Sequence, residues 1–169
     1  MAKKKYTSEQ FRKAFASASN GKKIKKKTEE QEQTNICKWM QLYYPDVFYN
    51  VDLAGINISP AQRKVYSQRK QRGHPDIMIY EWYKNLYCGL SIELKRTGTI
   101  VNEEKVKKDK TGHLIEQYNY LMALRNRNRM AFFVSGEENA KIVIKHYLEA
   151  GPMALKIINQ HVWPKINIY

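Results

Sequence analysis

At 169 residues the chain can bury the core of one domain and is short for two. Its 30 Lys and Arg against 16 Asp and Glu leave a formal net charge of +14, which points to a polyanionic partner, nucleic acid ahead of membrane, since no long apolar segment accompanies the surplus. Cys37 and Cys88 lie far apart and form no Cys-x-x-Cys pair, which argues against a zinc site or a disulfide framework and fits reduced thiols in an intracellular protein.

Residues 1–27 carry Lys3, Lys4 and Lys5, then Lys22, Lys23, Lys25, Lys26 and Lys27, with no apolar core of a secretory signal. This arm is either a mobile segment that meets phosphates or a solubilising tail. Thr28 with Gln31 three places on predicts an N-cap and capping box. Ile36, Trp39, Met40 and Tyr43 then repeat at helical spacing until Pro45 stops the helix. Glu29 and Glu32 fall on the same stripe, seven and four places before Ile36. Acids in a first turn complement the helix dipole by roughly 0.3–1 kcal/mol, which is one reason for them to be there.

A strand is expected over 47–53, closed by the turn signals Gly55 and Asn57. Residues 59–72 are polar and basic, with Arg63, Lys64, Arg69, Lys70 and Arg72 around Tyr66. They read either as a segment gripping DNA backbone or as an exposed helix or loop. Gly73-His74-Pro75-Asp76 then opens an apolar run to Tyr80, and Leu90-Ser91-Ile92-Glu93-Leu94-Lys95-Arg96 forms a second. Pro75 cannot donate to a ladder, so the first strand is expected to start at Asp76. In the second, alternation puts Ser91, Glu93 and Lys95 on one face and Leu90, Ile92 and Leu94 on the other. Pairing of the two strands brings Asp76, Glu93 and Lys95 to one edge.

Residues 96–112 read as a basic flap without structure of its own, carrying Arg96, Lys105, Lys107, Lys108 and Lys110. A helix follows from His113 to about Asn126, with Leu114, Tyr118, Leu121 and Met122 as its buried stripe and Gln117 at the edge. Met130-Ala131-Phe132-Phe133-Val134 is a strongly apolar strand, and Ser135 with Glu138 predicts a second capping box opening a helix that ends at Gly151-Pro152. In the tail, Ile157, Ile158, Val162, Trp163, Ile166 and Ile168 either cap the core or form an oligomer contact.

Asp76, Glu93 and Lys95 are the groups that metal-assisted phosphodiester hydrolysis needs. Carboxylates supply hard oxygen ligands for Mg²⁺, which keeps other positions for waters and phosphate. A lysine ammonium beside the attacking water can hold its hydroxide form. Glu-x-Lys alone says little, since Glu103-Glu104-Lys105 repeats it in a charged segment with no strand pattern. Among the histidines, His113, His146 and His161 show no ligand spacing, and only His74 stands beside a candidate carboxylate.

The run from Gly73 to Ile77 followed by Ile92-Glu93-Leu94-Lys95 resembles the VRR-NUC (virus-type replication-repair nuclease) branch of the PD-(D/E)xK superfamily. The resemblance covers residues 28–150 and implies an α/β fold with a restriction-endonuclease-like αβββαβα core, a mixed central sheet flanked by helices. The basic arm 1–27 would precede that nuclease domain and a C-terminal extension, 151–169, would follow it. It also implies Asp76, Glu93 and the backbone carbonyl of Leu94 as ligands of Mg²⁺ or Mn²⁺, with Lys95 at the attacking water. The family's acidic residue on the first helix maps to Glu29 first and Glu32 second. Its Gln-x-x-aromatic-Leu glutamine maps to Gln117, which otherwise reads as an ordinary helix-edge residue.

Stand-alone relatives of this kind, viral or bacterial, are similar in acting as homodimers on branched DNA such as Holliday junctions. The resemblance therefore implies a DNA endonuclease, homodimeric and structure-specific, with no membrane partner. The alternatives are a nuclease that degrades DNA without structural preference and a non-catalytic DNA- or RNA-binding module on the same fold.

Overall fold

Strands β1 (Tyr49–Val51), β2 (Ile77–Ile79), β3 (Leu90–Lys95), β4 (Met130–Ser135) and β5 (Val162–Trp163) form one five-stranded sheet whose spatial order is the chain order. The computed structural model of the protein describes residues 27–52, 59, 60, 62, 64, 65 and 72–166. β1, β2 and β3 run antiparallel in turn, β3 and β4 are parallel, and β5 returns antiparallel to β4. A parallel pair needs a crossover, here α2 (Glu103–Lys107) and α3 (His113–Arg125). α1 (Glu29–Tyr43) precedes the sheet, and α4 (Glu137–Glu149) and α5 (Ala154–His161) separate β4 from β5. The expected αβββαβα order is present, with α2, α5 and β5 added to it. Among the described residues no helix is long and apolar enough to cross a membrane.

β3 and β4 lie inside the sheet and are buried along nearly their whole length, which is why both read as near-continuous apolar runs. Leu90, Ile92 and Leu94 join Met130, Phe132 and Val134 on one side, under Ile36 and Met40 of α1 and Val143, Ile144 and Tyr147 of α4. The opposite side is thin: its fully buried apolar cluster is Leu121, Ala131 and Phe133, beneath α3. Ser91, Glu93 and Lys95 emerge on that side.

The capping box at Thr28 forms as expected, Thr28 Oγ1 accepting from the Gln31 amide at 3.2 Å and Gln31 Oε1 from the Thr28 amide at 3.0 Å. Of the stripe behind it, Ile36 and Met40 are buried, Trp39 is half-buried and Tyr43 is exposed. The second capping box does not form. Ser135 is drawn into β4 by its pairing with Lys95, and α4 is capped instead by Gly136, with no side-chain bond. Gly136 sits at φ 83°, and a Cβ there would lie 2.5 Å from Thr97 Oγ1, so both backbone and space call for glycine.

Two strands are shorter than expected. The first covers only Tyr49–Val51, and β2 starts at Ile77, with Asp76 in the bend before it. The flap is not structureless: Asn102 Oδ1 accepts from the Lys105 amide at 2.9 Å and starts α2, whose Val106 is buried. On α3 only Leu121 and Gln117 are buried, while Leu114, Tyr118 and Met122 are half-buried.

Ile158, Val162 and Ile166 are buried in the main core, so the tail caps it. The expectation that Val162 serves an oligomer contact fails with it, because β5 pairing places Val162 against Val134 at 4 % exposure. Ile157 and Trp163 are half-buried, and Ile168 lies outside the described residues, as do residues 1–26 of the arm.

Candidate active site

The register of β2 on β3 pairs Ile77 with Ile92, and one further step sets Asp76 across from Glu93. Residues opposite each other on paired strands project to the same side. The Leu94 amide donates to Asp76 Oδ2 at 2.8 Å, which locks the carboxylate against β3. From behind, the Gln33 side-chain amide donates to the carbonyls of Asp52 (3.1 Å) and Asp76 (3.2 Å), and the Asp52 amide donates to Asp76 O at 2.8 Å. The chain can thus leave the ladder at Asp76 without losing its backbone partners.

Glu93 is 2 % exposed in the middle of a core strand. Lys95 Nζ donates to its Oε1 at 2.9 Å and to Gln117 Oε1 at 3.0 Å, and Gln117 Nε2 donates to the same Glu93 oxygen. The other N–H of Gln117 faces His113 Nε2 at 3.1 Å. With His113 in the tautomer that leaves Nε2 unprotonated, Gln117 uses its carbonyl and both amide hydrogens, one group to each of three neighbours. A buried ion pair such as this contributes little net stability, since desolvation offsets the attraction. Its place on a strand that could have been apolar throughout argues for chemistry.

Gly73 brings this edge up against α3. It sits at φ 77°, and a Cβ would lie 2.5 Å from the Glu116 carbonyl oxygen, so only glycine lets residues 73–76 run this close to the helix carrying Gln117. His74 packs its ring on Tyr120 at 5.7 Å between centroids, and its Nδ1 lies 2.9 Å from Pro75 O.

The acids of the first helix divide. Glu29 is exposed and accepts from the Arg96 amide at 2.8 Å; Glu32 is 1 % exposed and its Oε1 accepts from the Thr97 amide at 3.2 Å and from Thr97 Oγ1. The buried member of the pair is therefore Glu32, the second choice for the family's acidic position. Its Oε2 is buried without a hydrogen-bond partner among the described residues. The two carboxylates hold consecutive amides of the loop leaving Lys95.

No family model and no curated protein matches the sequence. Among solved structures, one described as a VRR_NUC domain protein aligns with TM-score 0.53 at 22 % identity, over 76 % of this chain and 93 % of that one. The chain has the VRR-NUC fold. An identity this low speaks for the fold alone, so the chemistry rests on the side chains described above.

Within this VRR-NUC fold, the side chains that could hold a divalent cation are carboxylates. Among the described residues no group of three or more His, Cys, Asp and Glu side chains is gathered around one point, so Glu32 does not complete a three-acid cluster with Asp76 and Glu93. What the edge offers is two carboxylates, Asp76 in the bend before β2 and Glu93 on β3, with hard oxygens and no thiolate. That set fits Mg²⁺ or Mn²⁺, which bind through one or two carboxylates and retain waters, and it does not fit a structural zinc.

The basic residues are more dispersed. Arg63, Arg69 and Lys70 lie outside the described residues; Lys64 is exposed. Arg72 is exposed and pairs with Glu116 at 3.1 Å, and Arg96 donates from Nε to Lys27 O at 3.1 Å. On α2 and at its C-cap, Lys107 pairs with Glu103 at 2.6 Å and Lys108 with Glu104 at 2.5 Å, so half of the flap's lysine charge is compensated locally, leaving Lys105 and Lys110 exposed. The Glu103-Glu104-Lys105 repeat of the motif is helical and exposed, as its charge pattern implied.

Two residues not singled out from the sequence support the site. His113 stands one helical turn before Gln117, a spacing that could have flagged it. The Arg129 guanidinium donates to Ser91 Oγ at 3.2 Å and to the carbonyls of Ile79, Cys88 and Leu90 at 2.7, 3.3 and 3.3 Å, tying β2 to β3 at the end away from Glu93. Nothing in the local sequence signals that role.

Proposed function

We propose that this protein is a Mg²⁺- or Mn²⁺-dependent DNA endonuclease. The observation that carries the reading is the buried Glu93–Lys95–Gln117 triangle with Asp76 set across from Glu93. Asp76 and Glu93, with the Leu94 backbone carbonyl, would hold the ion, and when bound it supplies charge to the phosphate oxygens and acidity to a water. The chain's own part is positional. Lys95 offers its ammonium to the attacking oxygen; Gln117 holds Lys95 and Glu93 in one geometry, and Glu29 and Glu32 hold the loop after Lys95. The basic residues around the edge, Lys64, Arg72, Arg96, Lys105 and Lys110 among them, bind phosphates.

The finer reading is that the substrate is branched DNA, such as a four-way junction, cut as paired nicks by a homodimer. Two cuts need two sites related by a two-fold axis. With the tail folded into the core, the apolar surface open to such a contact includes Leu42, Phe48 and Trp82, at 72, 76 and 64 % exposure.

Titrating Mg²⁺ or Mn²⁺ against supercoiled plasmid and four-way junctions tests both levels. Cleavage that requires the metal is expected, with junctions preferred. Binding without cleavage at every metal concentration would leave a binding module, and a monomer cutting linear and branched DNA equally would remove the finer reading alone.

A further inference from the structure

Lys95 also lines a cavity of about 390 Å³, to which Glu93 does not contribute. It is walled by Phe133 and Trp163, by Ile100 and Val101 of the flap, and by Gln160 and Lys165 of the C-terminal segment. Lys95 is shared by cavity and site: its Nζ bonds Glu93 and stands 5.7 Å from the Phe133 ring centroid. Trp163 is held in place, stacked on Tyr118 at 5.4 Å and 27° and packed on Phe133 at 5.8 Å.

Three features select the occupant. The cavity is at the small end of the roughly 300–1,000 Å³ range of small-ligand pockets, room for one flat group and too little for a duplex end. Phe133 and Trp163 supply aromatic faces and Ile100 and Val101 aliphatic ones, while Asn102, Ser135 and Gln160 offer donors and acceptors. Of the residues lining it none is Asp or Glu, and two are lysines. An anionic chain can therefore pass its mouth without repulsion.

We propose that this cavity takes one unpaired nucleobase of the strand whose phosphate lies at Glu93. The inference rests on the nuclease reading for its substrate and goes beyond it in assigning a base-binding subsite built by the flap and the C-terminal segment. A base seated there must be out of its stack. The enzyme thus engages DNA where a base is already unpaired, as at a junction, a nick or a single-stranded end.

The test is an abasic scan of binding in EDTA, where no cleavage occurs. The full chain is titrated by fluorescence anisotropy against a short single strand carrying one abasic residue at each position in turn. Loss of a stacked base is expected to weaken binding about tenfold at one position and little elsewhere. Gln160→Trp, an exposed position at the cavity wall, should abolish that dip while leaving the affinity for the abasic strand unchanged; Trp163→Ala should do the same. A flat scan, or a dip that survives Gln160→Trp, overturns the subsite. A flat scan in a protein that cleaves with Mg²⁺ removes the subsite and leaves the nuclease; a dip in a protein inert with every metal does the opposite.

Discussion

The two sides of the sheet have been put to different uses by the same strands. Under α1, α4 and α5, Leu90, Ile92 and Leu94 sit in a thick apolar core; under α3, Glu93 and Lys95 sit beside a smaller cluster whose buried members, among the described residues, are Leu121, Ala131 and Phe133. β3 serves both because its side chains alternate. One face contributes burial at roughly 25 cal/mol per Å², while the other gives that up to hold charges that desolvation penalises. Stability and chemistry here can therefore be altered separately by substituting neighbouring residues.

The largest separation is expected from the Glu93→Ala/Lys95→Ala double variant. Turnover should fall about a thousandfold or more, roughly 4 kcal/mol of transition-state stabilisation, with a melting temperature near that of the unaltered protein because both charges of a buried pair leave together. Circular dichroism alongside plasmid cleavage checks it, and full activity in the double variant would sink the site assignment. One residue away, Ile92→Ala should do the reverse. It leaves a cavity in the thick core, so unfolding free energy should drop by about 2–5 kcal/mol in urea titration, with cleavage by the remaining folded fraction nearly unchanged.

A third effect lies where α4 meets α1. Burial alone would push the Glu137 carboxyl up, but hydrogen bonds from Lys141 (2.5 Å), Lys27 (2.7 Å) and Asn35 (2.8 Å) outweigh it and hold the pKa down from 4.5 to about 2. A depressed folded-state pKa contributes stability that is present above about pH 4.5 and lost as pH falls toward about 2, here on the order of 1–3 kcal/mol. Stability measured from pH 6 down to 2 should show that loss, and Glu137→Gln should remove that part of the pH dependence; an unaltered slope would mean the network is not formed. The smallest effects are expected next to the Glu93–Lys95 pair and on the flap. Gln117→Ala should slow cleavage about ten- to a hundredfold, 1.4–2.7 kcal/mol at roughly 1.36 kcal/mol per decade, whereas Glu104→Ala and Lys105→Ala should leave turnover within about twofold. Equal losses in all three would show that the motif's strand context does not matter.

Several of these features were legible in the order of residues and several were not. Glu93 and Lys95 could be assigned to one face because a strand has a period of two, and Pro75 marked where the neighbouring strand begins to within a residue. The difference in burial between Glu29 and Glu32 was not legible. Helical spacing gives an angle around the axis and no depth along it, and Glu32 is buried because Thr97 closes over it while Glu29 stays at the exposed first turn. The Ser135 capping box failed for a related reason, since its local signal competed with a parallel strand pairing that only the crossover makes possible.

By itself, then, the sequence determined what depends on neighbours within a few places: the alternation of β3, the cap at Thr28, the apolar run of β4 and the helical spacing of α3. Tertiary structure alone decided what depends on segments distant in the chain. Asp76 is held against β3 by the Leu94 amide, Gln117 reaches Lys95 across 22 positions, and the cavity beside them is walled by residues from the flap, β4 and the C-terminal segment. The physical reason is that propensity and periodicity act over one or two turns, whereas a buried polar site forms only where packing brings its partners together and excludes water.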